Sequence, residues 1–160
     1  MTGFTHFDEH GNAAMVDISG KQQAARCAVA EGWIKMSAPC YQAVYGGSIK
    51  KGDVLGVARI AGIMAVKRAA TLIPLCHTIL IEKAAIDFDF DDDSRQVTAR
   101  CTVHTTGATG AEMESLTGVS VCLLTIYDMC KSLDKGMEIG GIRLLEKTGG
   151  KSGVYSAKRS

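Results

Sequence analysis

Hydrophobic residues follow two kinds of pattern along the chain, and these separate candidate strands from candidate helices. Extended or alternating patterns predict strands at 26–36, 79–90, 97–103 and 138–147. Apolar residues spaced by three and four predict a helix from Val54 to the Ile73-Pro74 stop and another over 111–133. A shorter helix begins near Pro39 and ends near Tyr45, before Gly46-Gly47.

The order of these elements predicts the fold class. It runs strand, helical segment, hairpin of two strands joined by a turn at 91–94, helix, strand. This is the order of a ferredoxin-like split β-α-β sandwich, an α+β fold with helices on one face of an antiparallel sheet. We interpret the polar residues 1–25 as an N-terminal arm and residues 26–160 as one ferredoxin-like domain.

Two features bear on how the elements pack. Small residues recur at three- and four-residue intervals on the helix that begins at Val54, so we expect this helix to press closely on the sheet or on a neighbouring helix. One face of the sheet still needs a cover. Three surfaces need packing partners, namely Trp33, the second side of the hairpin and this helix. If only a neighbouring chain supplied those partners, the protein would be an oligomer.

Two helix starts carry capping signals. Asp53 is a good N-cap residue for the helix that follows it. Thr109 and Glu112 have the spacing of a capping box, in which the hydroxyl and the carboxylate each bind a free amide of the first turn. Glu112 therefore has two interpretations, as the capping partner of Thr109 or as a residue of a functional site.

Composition and charge exclude several classes of protein. An apolar content of 46% and a charged content of 22% are globular values, so disorder is excluded as the main description. The net charge of +1 gives no basic surface for a polyanion. The longest apolar run, near Val119 to Ile126, is too short to cross a bilayer. The first residues do not have the pattern of a secretion signal, so we expect a cytoplasmic protein.

Cysteine and histidine spacing argues against a metal site. The 6 cysteines contain no C-x-x-C pair, and the histidines are scattered, so no set of metal ligands is predicted. Cys76 and His77 are adjacent, but neighbouring residues on an extended chain point to opposite faces. We therefore do not expect them to form a nucleophilic dyad.

Charged residues offer two candidates for chemistry. Asp128 and Lys131 share one stripe of the last helix, either as an exposed ion pair or, because the neighbouring residues are apolar, as a partly buried acid/base pair. Lys51 precedes the helix start at Asp53, where it is either a solvated turn lysine or a partner for an anion. The loop that contains Lys51 and two glycine-rich loops, at 106–110 and 147–153, together suggest a polyphosphate ligand.

Taken together, several motifs resemble the cyclic pyranopterin monophosphate synthases of molybdenum cofactor biosynthesis, the accessory protein C family. The resemblance covers nearly the whole chain, in order. It is carried by Met15-Val16-Asp17-Ile18-Ser19, Lys51-Gly52-Asp53-Val54, Ala58-Arg59-Ile60-Ala61-Gly62-Ile63, Ile73-Pro74-Leu75-Cys76-His77, Glu112-Met113-Glu114-Ser115-Leu116-Thr117, Thr125-Ile126-Tyr127-Asp128-Met129-Cys130-Lys131 and Gly149-Gly150-Lys151-Ser152-Gly153.

This resemblance implies a lyase that converts (8S)-3',8-cyclo-7,8-dihydroguanosine 5'-triphosphate to cyclic pyranopterin monophosphate and releases pyrophosphate. It implies no organic cofactor and no metal, and its only ligand is the nucleotide-derived triphosphate, with no nucleic acid and no membrane as partner. It further implies a homohexamer, a trimer of dimers, whose site lies at the dimer interface. The domain at 26–160 is then the catalytic domain.

The same resemblance assigns residues to the site. It implies that Asp128, Lys51 and Lys131 are catalytic. It also implies a set of substrate-binding residues, namely Leu75, Cys76, His77, Met113, Glu114, Lys147 and Lys151. The chain departs from the family pattern at Ala108, where a basic residue is usual, and at Thr78, where a proline is common.

Two other functions fit parts of the sequence. A ferredoxin-like sensor could bind a nucleotide at an oligomer interface without turning it over, and the fold alone does not exclude this. RNA binding on the sheet would need exposed aromatics on the central strands. Phe88 and Phe90 alternate with aspartates that repel phosphate, which disfavours RNA.

Overall fold

The computed structural model describes residues 6–48, 52–151 and 153–158. Five strands and four helices follow one another in this part of the chain. In chain order they are β1 (Ala24–Lys35), α1 (Ala38–Tyr45), α2 (Val54–Val66), α3 (Ala69–Leu72), β2 (Lys83–Asp91), β3 (Gln96–Gly107), α4 (Glu112–Cys130), β4 (Glu138–Thr148) and β5 (Tyr155–Ser156).

All five strands form one antiparallel sheet in the order β2-β3-β1-β4-β5. The first four strands of this order are those of the ferredoxin-like sandwich, so the predicted α+β fold is confirmed. β1 lies at the centre, with Ala30 opposite Cys101 of β3 and Leu144 of β4. The short β5 pairs with Glu146 and Lys147 at the edge of the sheet and was not predicted from the sequence.

The helices cover one face of the sheet, and α2 and α4 cross on it through two glycines. A Cβ added to Gly118 would lie 2.7 Å from Val66 Cγ2 and 2.9 Å from Cys101 Sγ, and one added to Gly62 would lie 2.9 Å from the Gly118 carbonyl. The predicted close approach of the small-residue helix is therefore confirmed, and α4 of the same chain provides the partner.

Charged side chains lie on the open face of the sheet. Glu31 lies between two arginines, 3.0 Å from Arg143 Nη2 and 3.8 Å from Arg100 Nη2. Phe88 packs on the opposite side, against the core, as Phe90 does. The hairpin aromatics are thus absent from the face that an RNA-binding sheet would use.

Trp33 also lies on this open face, where it packs against a backbone without side chains. A Cβ added to Gly140 would lie 2.5 Å from Trp33 Cζ2, and one added to Gly141 would also contact the indole. Both Trp33 and the small-residue helix therefore have partners within the chain, so neither of them requires an oligomer.

Several predicted boundaries were wrong. The helix after Asp53 does not continue to Ile73, because α2 ends at Val66 and α3 is separate. β2 begins at Lys83 and not at Ile79, since the Thr105 hydroxyl binds the Leu80 carbonyl at 2.6 Å in place of a strand ladder. α4 ends at Cys130 and not at Leu133, whose amide closes a turn onto the Cys130 carbonyl.

The N-terminal region is ordered by short contacts. Phe7 and Ala13 form an isolated bridge, and the turn between them is held by Asp8, whose carboxylate accepts bonds from the backbone amides of His10 and Asn12. These bonds lower the pKa of Asp8. We call residues 6–14 the N-terminal hairpin. β1 begins at Ala24, two residues earlier than predicted, and the division into an arm and a domain stays a prediction.

Candidate functional site

The first turn of α4 carries three consecutive candidates, Glu112, Met113 and Glu114. The capping prediction for this turn was wrong, because the N-cap residue is Ala111 and no side chain caps the helix. The carboxylate of Glu112 instead lies 3.0 Å from Lys147 Nζ. Glu112 is therefore free of the capping role, and an ion pair joins the start of α4 to the end of β4.

A basic cavity of about 580 Å³ surrounds this ion pair. Four basic side chains and one carboxylate line it, namely Lys21, Arg26, Lys147, Lys151 and Glu112. Lys147 and Lys151 were predicted to bind the triphosphate, and the structure brings them together. The excess of positive charge in a concave site is typical of an anion-binding pocket.

Lys21 and Arg26 were missed by the sequence reasoning. Arg26 donates from Nε to the Gly107 carbonyl at 2.8 Å and from Nη2 to the Ala108 carbonyl at 3.1 Å. It thereby anchors the loop that lacks the usual basic residue at Ala108. A basic residue near the start of a central strand was the available signal, but it gained meaning only when β1 and β3 paired.

The glycine-rich end of β4 fits closely around Arg26. Gly150 has φ 75°, and a Cβ there would contact the Arg26 guanidinium. Gly149 has φ 93°, and a Cβ there would contact the Ala25 carbonyl. Because other residues rarely adopt a positive φ, these glycines allow the tail to turn against β1.

A second, mostly apolar cavity of about 420 Å³ is lined in part by Met113, in the first turn of α4. It is lined by His6, Ile73, Pro74, Leu75, Cys76 and Met113. Three of these residues were predicted to bind substrate, and the structure brings them together: Leu75, Cys76 and Met113. We call it the apolar cavity and the first one the basic cavity.

A carboxyl and a thiol meet beside the apolar cavity. Cys76 Sγ lies 3.7 Å from Glu114 Oε1, and only 3% of Glu114 is exposed. Burial raises the pKa of Glu114, and it also raises the pKa of Cys76 to about 11, with the Glu114 charge adding to the effect. Cys76 is therefore a protonated thiol and a poor nucleophile at neutral pH.

His77 contacts a different partner from its neighbour Cys76. Its Nε2 lies 2.7 Å from the Val16 carbonyl, and since a carbonyl only accepts, Nε2 carries the hydrogen. The predicted substrate-binding side chain is thus bonded to the segment that follows the N-terminal hairpin. This bond fixes where that segment lies beside the apolar cavity.

The predicted Asp128–Lys131 pair is present at the other end of α4. Lys131 Nζ lies 2.7 Å from Asp128 Oδ1, and the Asp128 bond and charge raise the pKa of Lys131. Of the two alternatives, the single chain has the exposed ion pair, because the side chains of Asp128 and Lys131 are 65% and 52% exposed. Lys51, the third predicted catalytic residue, lies outside the described residues.

The length of α4 separates the two groups of candidates. Glu112 and Asp128 are sixteen positions apart on one helix, which places them about 24 Å apart along its axis at 1.5 Å per residue. The cavities lie at the beginning of α4, and the Asp128–Lys131 pair lies at its end. One chain therefore does not bring all the predicted site residues together.

Two absences hold for residues 6–48, 52–151 and 153–158. No three of their His, Cys, Asp and Glu side chains converge so that they could hold a metal ion. Within the same ranges, each helix is too short or too polar to cross a membrane.

A model of the MoaC family matches residues 15–150 of the chain. The chain belongs to the MoaC family. This membership confirms the resemblance inferred from the motifs. The two departures from the family pattern lie at the basic cavity, which Ala108 lines, and at Thr78, which is exposed.

Curated MoaC-family relatives match the chain over nearly its whole length. A protein of Cereibacter sphaeroides ATCC 17029 is 58% identical over 157 residues, covering 98% of this chain and 99% of the relative. One from Clostridium perfringens strain 13 is 51% identical and covers 95% and 96%, and one from Geobacillus thermodenitrificans is 50% identical and covers 99% of each. All three are named cyclic pyranopterin monophosphate synthase.

Proposed function

We propose that this chain is a cyclic pyranopterin monophosphate synthase of molybdenum cofactor biosynthesis. It converts (8S)-3',8-cyclo-7,8-dihydroguanosine 5'-triphosphate into cyclic pyranopterin monophosphate and pyrophosphate. The observation that carries the proposal is the pair of unlike cavities lined by adjacent residues of the first turn of α4, Glu112 in one and Met113 in the other. One is basic and suits a triphosphate, and the other is apolar and suits a fused heterocycle.

The basic cavity holds the triphosphate in this proposal. Lys147 and Lys151 bind phosphate oxygens, with Lys21 and Arg26 as further donors from β1 and the segment before it. A sugar hydroxyl attacks the α-phosphorus and gives up its proton to solvent, the bond from the α-phosphorus to the oxygen of the β-phosphate breaks, and pyrophosphate leaves. Cations around the leaving group stabilise the charge that develops on it.

The apolar cavity holds the heterocycle, where Leu75, Cys76 and Met113 form its walls. Glu114 lies behind Cys76 as a buried hydrogen-bonding group for the polar edge of the ring. Burial raises the pKa of Glu114, so this carboxyl holds its proton more tightly than an exposed one does, which suits hydrogen bonding to a ring amide. The His77 side chain binds the Val16 carbonyl and so holds the segment that carries Cys76 in place. In this proposal the same segment contacts the substrate.

Proton transfer is assigned to Asp128 and Lys131, which act as the five-membered ring of the purine opens. Lys51 assists formation of the cyclic phosphate, either as an acid or as a positive charge. A proton donor must approach within about 3 Å of its target, and this chain's own Asp128 lies about 24 Å from the cavities along α4. We therefore propose that Asp128 and Lys131 come from a second copy at a dimer interface.

The proposed assembly is a homohexamer, a trimer of dimers, in the cytoplasm. A second chain placed over the Asp128–Lys131 pair would exclude water from side chains that are more than half exposed in the single chain. Excluding water strengthens the interaction of the pair with a reacting group. The proposed interface thus explains why an acid/base pair lies on an exposed helix end.

Turnover tests this function directly. The purified chain, supplied with the cyclic dihydroguanosine triphosphate, should release pyrophosphate and form the pterin product. Lys51→Ala and Asp128→Ala should abolish turnover while the assembly stays intact by sedimentation. Lys67→Ala, an exposed lysine after α2 that lines neither cavity, is the matched control and should retain activity.

The outcomes separate the proposal from a binding protein. A folded assembly that binds the substrate without releasing pyrophosphate would favour the sensor and end the lyase proposal. If Lys51→Ala and Asp128→Ala both kept full activity, the assignment of catalytic residues would be wrong although the activity stood.

A further inference from the structure

One residue of the apolar cavity comes from a part of the chain to which no role has been assigned. His6 belongs to the N-terminal hairpin, yet it lines the cavity together with Pro74, Leu75, Cys76 and Met113. All the other lining residues come from the 73–76 segment and the first turn of α4. The hairpin therefore supplies one side of the pocket.

The hairpin holds His6 in a defined place by several independent bonds. The His6 carbonyl accepts from the Ala14 amide at 3.0 Å, and Phe7 bridges to Ala13. Gly11, with φ 81°, and the bonds to the Asp8 carboxylate form the turn. His6 is thus positioned by a small folded unit.

A second contact ties this unit to the predicted substrate-binding segment. Two residues after the hairpin, the Val16 carbonyl accepts from His77 Nε2 at 2.7 Å. His77 follows Cys76 directly, so the same short segment forms the cavity wall and anchors the hairpin. The arrangement couples the position of His6 to the position of Cys76.

We infer that His6 is a substrate-binding residue, whose imidazole forms the outer wall of the apolar cavity and packs against the fused nitrogen heterocycle. This inference rests on the proposed function. The cavity is otherwise lined by aliphatic, sulfur-containing and proline side chains. An imidazole adds a flat aromatic surface, the kind of surface on which heterocyclic bases stack.

The test compares three variants of the full chain in the pyrophosphate-release assay. His6→Ala removes the ring, His6→Phe keeps a flat ring, and His10→Ala is the matched control on the same hairpin. The His10 side chain is 77% exposed, and it does not line the cavity. Thermal unfolding of each variant checks that the fold is retained.

We expect His6→Ala to raise KM by about tenfold or more, which is the usual scale for loss of one stacking ring. The kcat of His6→Ala should stay within about twofold of wild type. The KM of His10→Ala should also stay within about twofold, as expected for a surface change. His6→Phe should restore most of the lost affinity. A merely structural role for the hairpin would not produce this separation of KM from kcat.

Inorganic triphosphate provides a second readout, because as a competitive inhibitor it occupies only the basic cavity. Its inhibition constant should be the same for His6→Ala and wild type, and it should rise for Lys151→Ala. If the constant rose together with KM in His6→Ala, the change would have displaced the whole site and the inference would be wrong. Equal KM values for His6→Ala and His10→Ala would also overturn it.

Failure of this inference can be told from failure of the proposed function. Wild-type turnover with an unchanged KM in His6→Ala overturns the role of His6 and leaves the lyase in place. An absence of turnover in the folded wild type overturns the proposed function and the inference that rests on it.

Discussion

The separation of the candidate residues along α4 makes a quantitative prediction about mixed assemblies. Asp128→Ala removes the acid/base group at the end of α4, and Lys147→Ala removes a cation of the basic cavity near its beginning. The two positions belong to groups that lie about 24 Å apart on one chain. If each site is completed by a second copy, these variants damage opposite halves of a site.

The expected activities follow from how the chains pair. Lys147→Ala removes a charge-assisted contact of about 1.5–3 kcal/mol, and it leaves Glu112 without the ammonium 3.0 Å away. Its kcat/KM should therefore fall by about 10- to 150-fold, while Asp128→Ala alone should be inactive. In an equal mixture, half of the dimers contain one chain of each variant. Each site takes Lys147 from one chain and Asp128 from the other, so a mixed dimer has one site with both residues intact and one site with both altered. About a quarter of all sites are then intact.

The assay is pyrophosphate release by the two variants co-expressed in equal amounts and purified as a mixed assembly. Activity of about a quarter of wild type is expected. The control mixes Asp128→Ala with Lys131→Ala, two changes in the same half, so no pairing produces an intact site. If the first mixture had only the mean activity of its two parent variants, at most about a twentieth of wild type, each site would be formed within one chain and the reasoning from helix length would be refuted.

Three further predictions concern stability and are measured by urea unfolding. Gly118→Ala should destabilise by about 1–3 kcal/mol because its Cβ would overlap the α2 contact, whereas Gly20→Ala, with open space around it, should change little. Tyr41→Phe should lower the free energy of unfolding by about 0.5–1.5 kcal/mol, because it removes the 2.6 Å hydrogen bond from the Tyr41 hydroxyl to Asp92. Tyr45→Phe is the control, and because Tyr45 is 63% exposed no comparable loss is expected. Burial raises the pKa of Glu114 in the folded protein above its value of 4.5 in the unfolded chain. The stability that protonated Glu114 contributes is therefore fully present below pH 4.5, and it is lost as the pH rises through the pKa of the folded protein. Glu114→Gln should remove this pH dependence, and a wild-type slope that persisted in the variant would contradict the assignment.

Much of the fold was predictable because the relevant signals are local. The Asp53 cap is present, with its carboxylate accepting from the Gly56 amide at 2.8 Å. The alternation of Phe88 with aspartates gave a strand with its apolar side on the core. Such elements follow from side-chain period and cap chemistry, which neighbouring residues determine.

Other features were wrongly predicted or missed because distant residues decide them. The capping box at Thr109 and Glu112 was a sound local signal, but Lys147 lies close enough to bind the carboxylate. Leu80 was predicted to be in a strand, but the Thr105 side chain takes its carbonyl. Arg26 gained a role only through the loop that it binds across the sheet.

By itself the sequence determined the family, the order of the four long strands and of the helices α1, α2 and α4, and the chemical types of residue in the candidate site. Periodicity, caps and motifs are properties of neighbouring residues, so they can be read along the chain. Tertiary structure alone decided that Lys21 and Arg26 join Lys147 and Lys151, that His6 reaches the apolar cavity, and that Asp128 lies far from both cavities. These results depend on strand register, loop closure and the length of a rigid helix. Such features determine which residues lie close together in space, whatever their separation in sequence.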